Sequence, residues 1–367
     1  MPVPLDEFPF HQTSLSMRHV GTSDRNFYDR CYFNAHDRTG DLLFVSGLGV
    51  YPNLGVIDAY ALVRRGDTQR VLRCSDALGD DRRRTEVGPY RLDVLEPLQR
   101  VRLRCDGDAH GLAFDLTWEG SFPAVDEARH LMHVGGRPII DTSRFAQVGT
   151  WSGTLRVDGA EVTVDPATWV GTRDRSWGIR PVGEAEPPGR AGAEPPEGFW
   201  WLYVPLRFDE FALVLIVAEA PDGTRTLNDA SRVWPDGRVE QLGWPEVDIR
   251  YAPGTRHPVA ATLAMVGRDR RPVVVTVETL GFVALAAGAG YGADPDWSHG
   301  RWMGRGWVDG AVYDYRDPAV AARVPYGVLD HVARATCDGA PGWGLFEHAS
   351  IGRHDPSGFA DYGSVAP

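Results

Sequence analysis

The dipeptide Asp-Gly occurs at 106–107, 158–159, 222–223, 236–237, 309–310 and 338–339, and it constrains the fold more than any other feature of the chain. Between alternating apolar residues, Asp-Gly is a strong hairpin signal, because both central residues of a type I′ turn need positive φ. The flanks comply. Val101, Leu103 and Cys105 alternate with Arg100, Arg102 and Arg104 before the first turn. Leu112, Phe114, Leu116 and Trp118 alternate with Ala113, Asp115 and Thr117 after it. Period two on both sides means strands with one face in a core. Leu155 and Val157, then Val162 and Val164, repeat the pattern around the second turn. Phe211–Ala218 and Val273–Val277 read as buried strands, rich in β-branched residues. Helical pattern is confined to two turns or so at Val125–His133 and Pro318–Val324. Strands spaced this regularly indicate sandwiches or antiparallel barrels rather than a parallel βαβ sheet.

At 367 residues the chain is long for one core, and two domains are expected, residues 1–170 and 171–367. The segment 181–198 (PVGEAEPPGRAGAEPPEG) can bury little and reads as a flexible loop or a lid. A net charge of −12 argues against nucleic-acid binding and against an anionic membrane surface as partner. The start of the chain lacks a basic region followed by an apolar one, and no apolar run is long enough to span a bilayer. Cys31, Cys74, Cys105 and Cys337 lack the spacing of a zinc or redox motif and read as buried reduced thiols, which places the protein in the cytoplasm.

The densest cluster of polar residues is Gly171-Thr-Arg-Asp-Arg-Ser-Trp-Gly-Ile-Arg180, followed by the aromatic run Phe199-Trp-Trp-Leu-Tyr203. Strand alternation sends Trp200 and Leu202 to one face, and Trp201 and Tyr203 to the other. His130 and His133 have HxxH spacing, yet no HExxH glutamate and no third ligand accompany them, so no metal is expected. His36 reads as part of an exposed turn. Glu347 and His348 are adjacent in a strand, so one of them faces a barrel interior. Gly47-Leu-Gly49 lacks the third glycine of a dinucleotide fingerprint, and neither a P-loop nor a G-x-S-x-G elbow occurs, so no cofactor is expected.

The run RDRSWGIR at Arg173–Arg180 resembles the RDHSWG-type signature of the carotenoid 1,2-hydratase and AttH-like family. Relatives in that group include kievitone hydratase and decalin-forming Diels–Alderases. Tyr326–His331, Gly342–His348 and Gly352–Phe359 support the resemblance, which spans most of the chain and looks like an actinobacterial branch of the group. It implies two tandem lipocalin-like antiparallel β-barrels. It also implies protonation of an isoprenoid double bond and addition of water to the resulting cation, chemistry that needs an acid, an apolar pocket and aromatic faces. On this reading Trp177, Trp200, Trp201, Glu347 and His348 bind substrate, and Arg175, Tyr203 and Asp174 are the catalytic candidates.

Two departures stand out. Arg175 occupies the position of the family's histidine and cannot exchange a proton near neutral pH. Where the hydratases have a Tyr-x-Asp pair on the next strand, this chain has Tyr203 and Pro205. Asp174 is then either the replacement acid or part of an Arg–Asp cluster pinning the crossover between domains. The sequence favours the structural role for Asp174 and a ligand-facing one for Arg175. The expected function is a cofactor-independent lyase or isomerase, hydratase-like, acting on an apolar unsaturated small molecule such as a terpenoid or polyketide. A cyclase that shapes a polyene and a non-catalytic hydrophobic-ligand-binding protein are the alternatives.

Overall fold

The alternating segments become strands, and in the computed structural model these assemble into two curled antiparallel sheets, each a half-barrel. The structure describes residues 2–134, 136–184, 197–291 and 294–367. Most of the loop read at 181–198 therefore lies outside the described residues. No helix among them is long and apolar enough to cross a membrane.

In the first sheet, the strands Thr68–Ala77, Val56–Arg65, Leu42–Tyr51 and Phe27–His36 lie side by side. Val170–Ile179 follows, then the long strand Arg137–Val157, then Leu112–Gly120, Arg100–Cys105 and Tyr90–Glu96. In the second sheet the order is Arg225–Val233, Ala212–Glu219, Gly198–Arg207, Ala340–Gly352, Leu329–Cys337, Pro272–Ala284, Pro258–Val266 and Glu246–Tyr251. Sheet membership is not contiguous in sequence. Val170–Ile179 sits inside the first sheet, and Trp307–Asp314, from late in the chain, pairs with Thr68–Ala77 at that sheet's edge.

The Asp-Gly turns differ among themselves. At Asp158-Gly159 and Asp338-Gly339 both residues have positive φ and join directly paired strands, the type I′ geometry. At 222–223 and 236–237 only the glycine has positive φ. Asp106-Gly107 leads into a short 3₁₀ turn, and Asp309-Gly310 is no turn, because it lies within the strand Trp307–Asp314. Gly310 is needed there for another reason: a Cβ would come within 2.8 Å of the His110 side chain.

Helix is sparse, as expected, but Val125–His133 is strand: Val125–Asp126 and His130–Val134 pair with Arg137–Val157. The expected buried run Val273–Val277 alternates between buried and exposed, since its strand has one face on the core. Three large apolar clusters result among the described residues, beside a small one of Tyr28, Tyr51, Val56 and Val182. One fills the first sheet's concavity around Phe33, Trp118 and Trp151, and one fills the second's around Leu202, Phe208 and Phe346. The third lies between the sheets and draws Tyr32, Val45 and Val148 from one and Tyr203, Ile216 and Val332 from the other. His36 belongs to this junction and is fully buried, donating from Nε2 to the Gly344 carbonyl at 3.1 Å, which corrects its reading as an exposed turn residue.

Candidate functional site

A cavity of about 770 Å³ opens at the junction of the two sheets. Its walls follow from strand periodicity. Residues at every second position face it: Tyr28, Arg30 and Tyr32 on one strand, Asp174 and Ser176 on the next, Thr142 and Arg144 on the third. The second sheet contributes Phe199, Trp201 and Glu347, with Ile216 and Leu227 beside them. Tyr291 and His299, from the segment that precedes the edge strand Trp307–Asp314, close one side.

Carboxyl groups gather here. Glu347 lines the cavity and lies opposite Asp330 in the strand register. Trp201 Nε1 donates to Glu347 Oε1 at 2.5 Å, and Tyr32 Oη donates across the junction to Asp330 Oδ2 at 2.5 Å. Burial raises both carboxyls above the usual carboxylate range, and repulsion from Glu347 lifts Asp330 further still. Both carboxyls are therefore harder to ionise than two exposed ones would be.

Arg144 Nε donates to Glu127 Oε2 at 2.5 Å, and its guanidinium sits 4.5 Å from the Tyr203 ring centre. Burial nevertheless pushes Glu127 up to about 7. Asp174 is raised by burial, with Arg144, Arg30 and Arg180 pulling the other way. The flanking arginines have no part in this. Arg173 Nε donates to Gln147 Oε1 at 2.8 Å, and Arg175 pairs with Asp29 at 3.0 Å and reaches Cys31 Sγ at 3.2 Å.

Of the residues singled out in the sequence, the structure brings Asp174, Trp201 and Glu347 to the cavity. Arg175 and Trp177 face the opposite side of the first sheet, in register with Cys31 and Asp29. Trp200 and His348 lie in the second sheet, where Trp200 stacks on His354 and His348 Nδ1 donates to the Trp201 carbonyl at 2.7 Å. His348 Nε2 is 3.0 Å from the Tyr251 hydroxyl, and burial holds its ring near a pKa of about 3. Tyr203 is fully buried in the core between the sheets, and its hydroxyl has no hydrogen-bond partner among the described residues. His130 lines the cavity and stacks on Trp201, whereas His133 is exposed beyond a bulge. No three His, Cys, Asp or Glu side chains among the described residues form a metal-binding group.

Arg30, Tyr32, Glu127, Arg144, Tyr291, His299 and Asp330 went unrecognised in the sequence. Asp330 had a local signal, a lone carboxylate inside the apolar run Val328-Leu329-Asp330-His331-Val332. The others become neighbours only when the sheets pack.

A family model described as a family of unknown function (DUF8625) matches residues 3–360. No curated protein matches the sequence. Among solved structures, kievitone hydratase from Nectria haematococca is 13% identical with a TM-score of 0.51, covering 88% of this chain and 89% of its own. A provisionally assigned AttH from Nitrosomonas europaea is 14% identical with a TM-score of 0.55, covering 88% and 92%. CghA with Sch210972 is 12% identical with a TM-score of 0.53, covering 89% of each chain. At these identities the likeness is one of fold, the fold of the AttH-like proteins.

Proposed function

Because the chain belongs to this family of unknown function, we propose its activity from the cavity itself: a cofactor-independent lyase or isomerase of the hydratase type, acting on an apolar unsaturated small molecule such as a terpenoid or polyketide. The observation that carries this reading is the buried Asp330–Glu347 pair, both carboxyls raised by burial, at a cavity large enough for such a substrate. A buried carboxyl kept neutral can act as a general acid where an exposed one cannot.

Glu347, the member of the pair that lines the cavity, delivers the proton it shares with Asp330. That proton adds to one alkene carbon as the π electrons form the new C–H bond, and the pair is left with one more negative charge beside the cation. The aromatic walls, Tyr28, Tyr32, Phe199 and Trp201, stabilise that cation. Water then adds, and Asp174 on the facing sheet accepts its proton, returning it to Glu347 through solvent. Tyr32 positions Asp330, and Tyr203 supports Arg144. The sequence contains no lysine, so no side-chain amine is present for Schiff-base chemistry.

A second reading is favoured by the arginines. Arg30, Arg144 and Arg180 line the same cavity and oppose a carbocation near them, while they favour charge building on a substrate oxygen. A cyclase or isomerase that polarises a carbonyl uses them better.

Mass spectrometry of a panel of prenylated and polyene compounds incubated with the protein separates the two. Hydration adds the mass of one water and takes oxygen from labelled solvent, whereas cyclisation or isomerisation leaves the mass unchanged. In either case Glu347→Gln should lower turnover by about a hundredfold or more. Full activity in that variant would contradict the acid role.

A further inference from the structure

We propose that Arg30, Arg180, Tyr291 and His299 form a subsite for an anionic oxygen, so that the substrate is an amphipathic acid: an apolar unsaturated body ending in a carboxylate. The inference rests on the reading of the cavity as the substrate site and names the class of molecule it takes.

Arg30 is the main observation. It lines the cavity, is 5% exposed, and donates from Nη2 to the Tyr291 hydroxyl at 2.5 Å. Its Nη1 has no partner, and no carboxylate lies within ion-pair distance among the described residues. A buried guanidinium without a counter-charge is costly to hold. Other buried arginines have partners of other kinds, although Arg73 Nε and Arg173 Nη2 are likewise without one. Arg144 has Glu127, Arg73 has Asp309, and Arg256 donates to the backbone carbonyls of Ser350, Gly352, Asp361 and Ser364. Arg173, held by Gln147, does not line the cavity.

The groups around Arg30 point to the same ligand. The Tyr291 hydroxyl accepts from Arg30 and, at 3.4 Å, from the Tyr60 hydroxyl, which leaves its own proton to donate. Arg180 lines the cavity with its guanidinium 5.1 Å from the Tyr28 ring centre and 5.6 Å from that of Tyr291, and it has no ion pair among the described residues. His299 is 3% exposed, neither of its ring nitrogens has a hydrogen-bond partner among the described residues, and it lines the cavity. Burial and the two guanidiniums keep it neutral, so it can donate to an oxygen without adding charge. Asp58, behind Arg30, is held by the Tyr51 hydroxyl at 3.0 Å and the Gly300 amide at 2.7 Å. Burial pushes it up to about 7, and burial likewise raises Asp174, on which Arg30 and Arg180 both act, so the two carboxyls supply only part of a counter-charge. Two cations, a hydroxyl donor and a neutral imidazole remain for a bound oxygen anion.

Equilibrium binding of three fluorescent polyene probes sharing one chain tests this. One probe is the fatty acid, one its neutral methyl ester, and one the neutral alcohol. The wild type should bind the acid about tenfold or more tightly than the ester or the alcohol. Arg30→Met should erase the preference while leaving alcohol affinity within about threefold. Arg180→Gln, at a partly exposed position, should reduce the preference in the same sense and covers the case in which the first variant fails to fold. Glu347→Gln should retain the preference, so loss of turnover and loss of the subsite read out separately. Equal affinity for acid, ester and alcohol, no binding of any probe, or a preference that survives both arginine substitutions would overturn the proposal.

Discussion

Asp174 and Arg175 are neighbours in sequence and face opposite sides of the first sheet, so the strands beside them decide what each one meets. Burial works against the Asp174 charge, and of the arginines that act on it Arg144 and Arg30 come from other strands and Arg180 from just past the end of its own. Asp174→Asn should therefore melt within about 1 kcal/mol of the wild type and lose turnover. This reverses the roles that the sequence favoured for the two residues. Arg175 pairs with Asp29 at a partly exposed position, so Arg175→Lys should cost at most about 1 kcal/mol and leave probe affinity in the cavity unchanged. Thermal melts and the binding assay check both. That one residue of each pair, Trp200/Trp201, Asp174/Arg175 and Glu347/His348, faces the cavity was legible because strand alternation is a local property, though the choice within each pair was not. The partner of Glu347 was not, since Asp330 meets it only through a register that no single strand encodes, and Tyr32 reaches Asp330 only through the packing of one sheet on the other.

The strand Val170–Ile179 explains why its motif is recognisable at all. It runs between Phe27–His36 and Arg137–Val157, and its glycines are dictated by those neighbours. A Cβ on Gly171 would come within 1.9 Å of the Asn34 carbonyl oxygen. Gly178 has a φ of 131°, and a Cβ there would come within 2.1 Å of the Asp141 carbonyl oxygen. Gly178→Ala should thus destabilise the protein by roughly 2 kcal/mol or more, through backbone strain and a separated strand pair. Chemical denaturation measures it, and a variant as stable as the wild type would mean that the pairing here differs. The Asp-Gly signal was legible as strand content yet ambiguous at each site. Only tertiary context tells the turn at Asp158-Gly159 from the strand interior at Asp309-Gly310, where the glycine makes room for His110.

At the scale of the whole molecule, two half-barrels leave their polar groups facing one another across a cavity, and that burial couples stability to pH. For Asp58 the folded value, about 7, lies above its ordinary one. Its favourable contribution is fully present below about pH 4 and is lost as pH rises through about 7. Buried histidines act in the opposite sense. His36, held near 4, contributes stability above about pH 6.5 that is lost as pH falls through its folded value. The raw stability curve mixes these effects, so the test is a difference: Asp58→Asn should gain stability relative to the wild type between about pH 4 and 8, by a few kcal/mol at most. A difference that is flat with pH would mean that Asp58 is an ordinary carboxylate. The central claim, that Asp330 and Glu347 hold a proton at the cavity at neutral pH, is tested most directly by infrared spectroscopy of carboxyl groups. The wild type should show a protonated-carboxyl C=O band at neutral pH that shifts in deuterated water and loses intensity in the Asp330→Asn, Glu347→Gln double variant. A double variant with the wild-type fold and an unchanged band in that region would show that both groups are ionised and that this pair is not the acid.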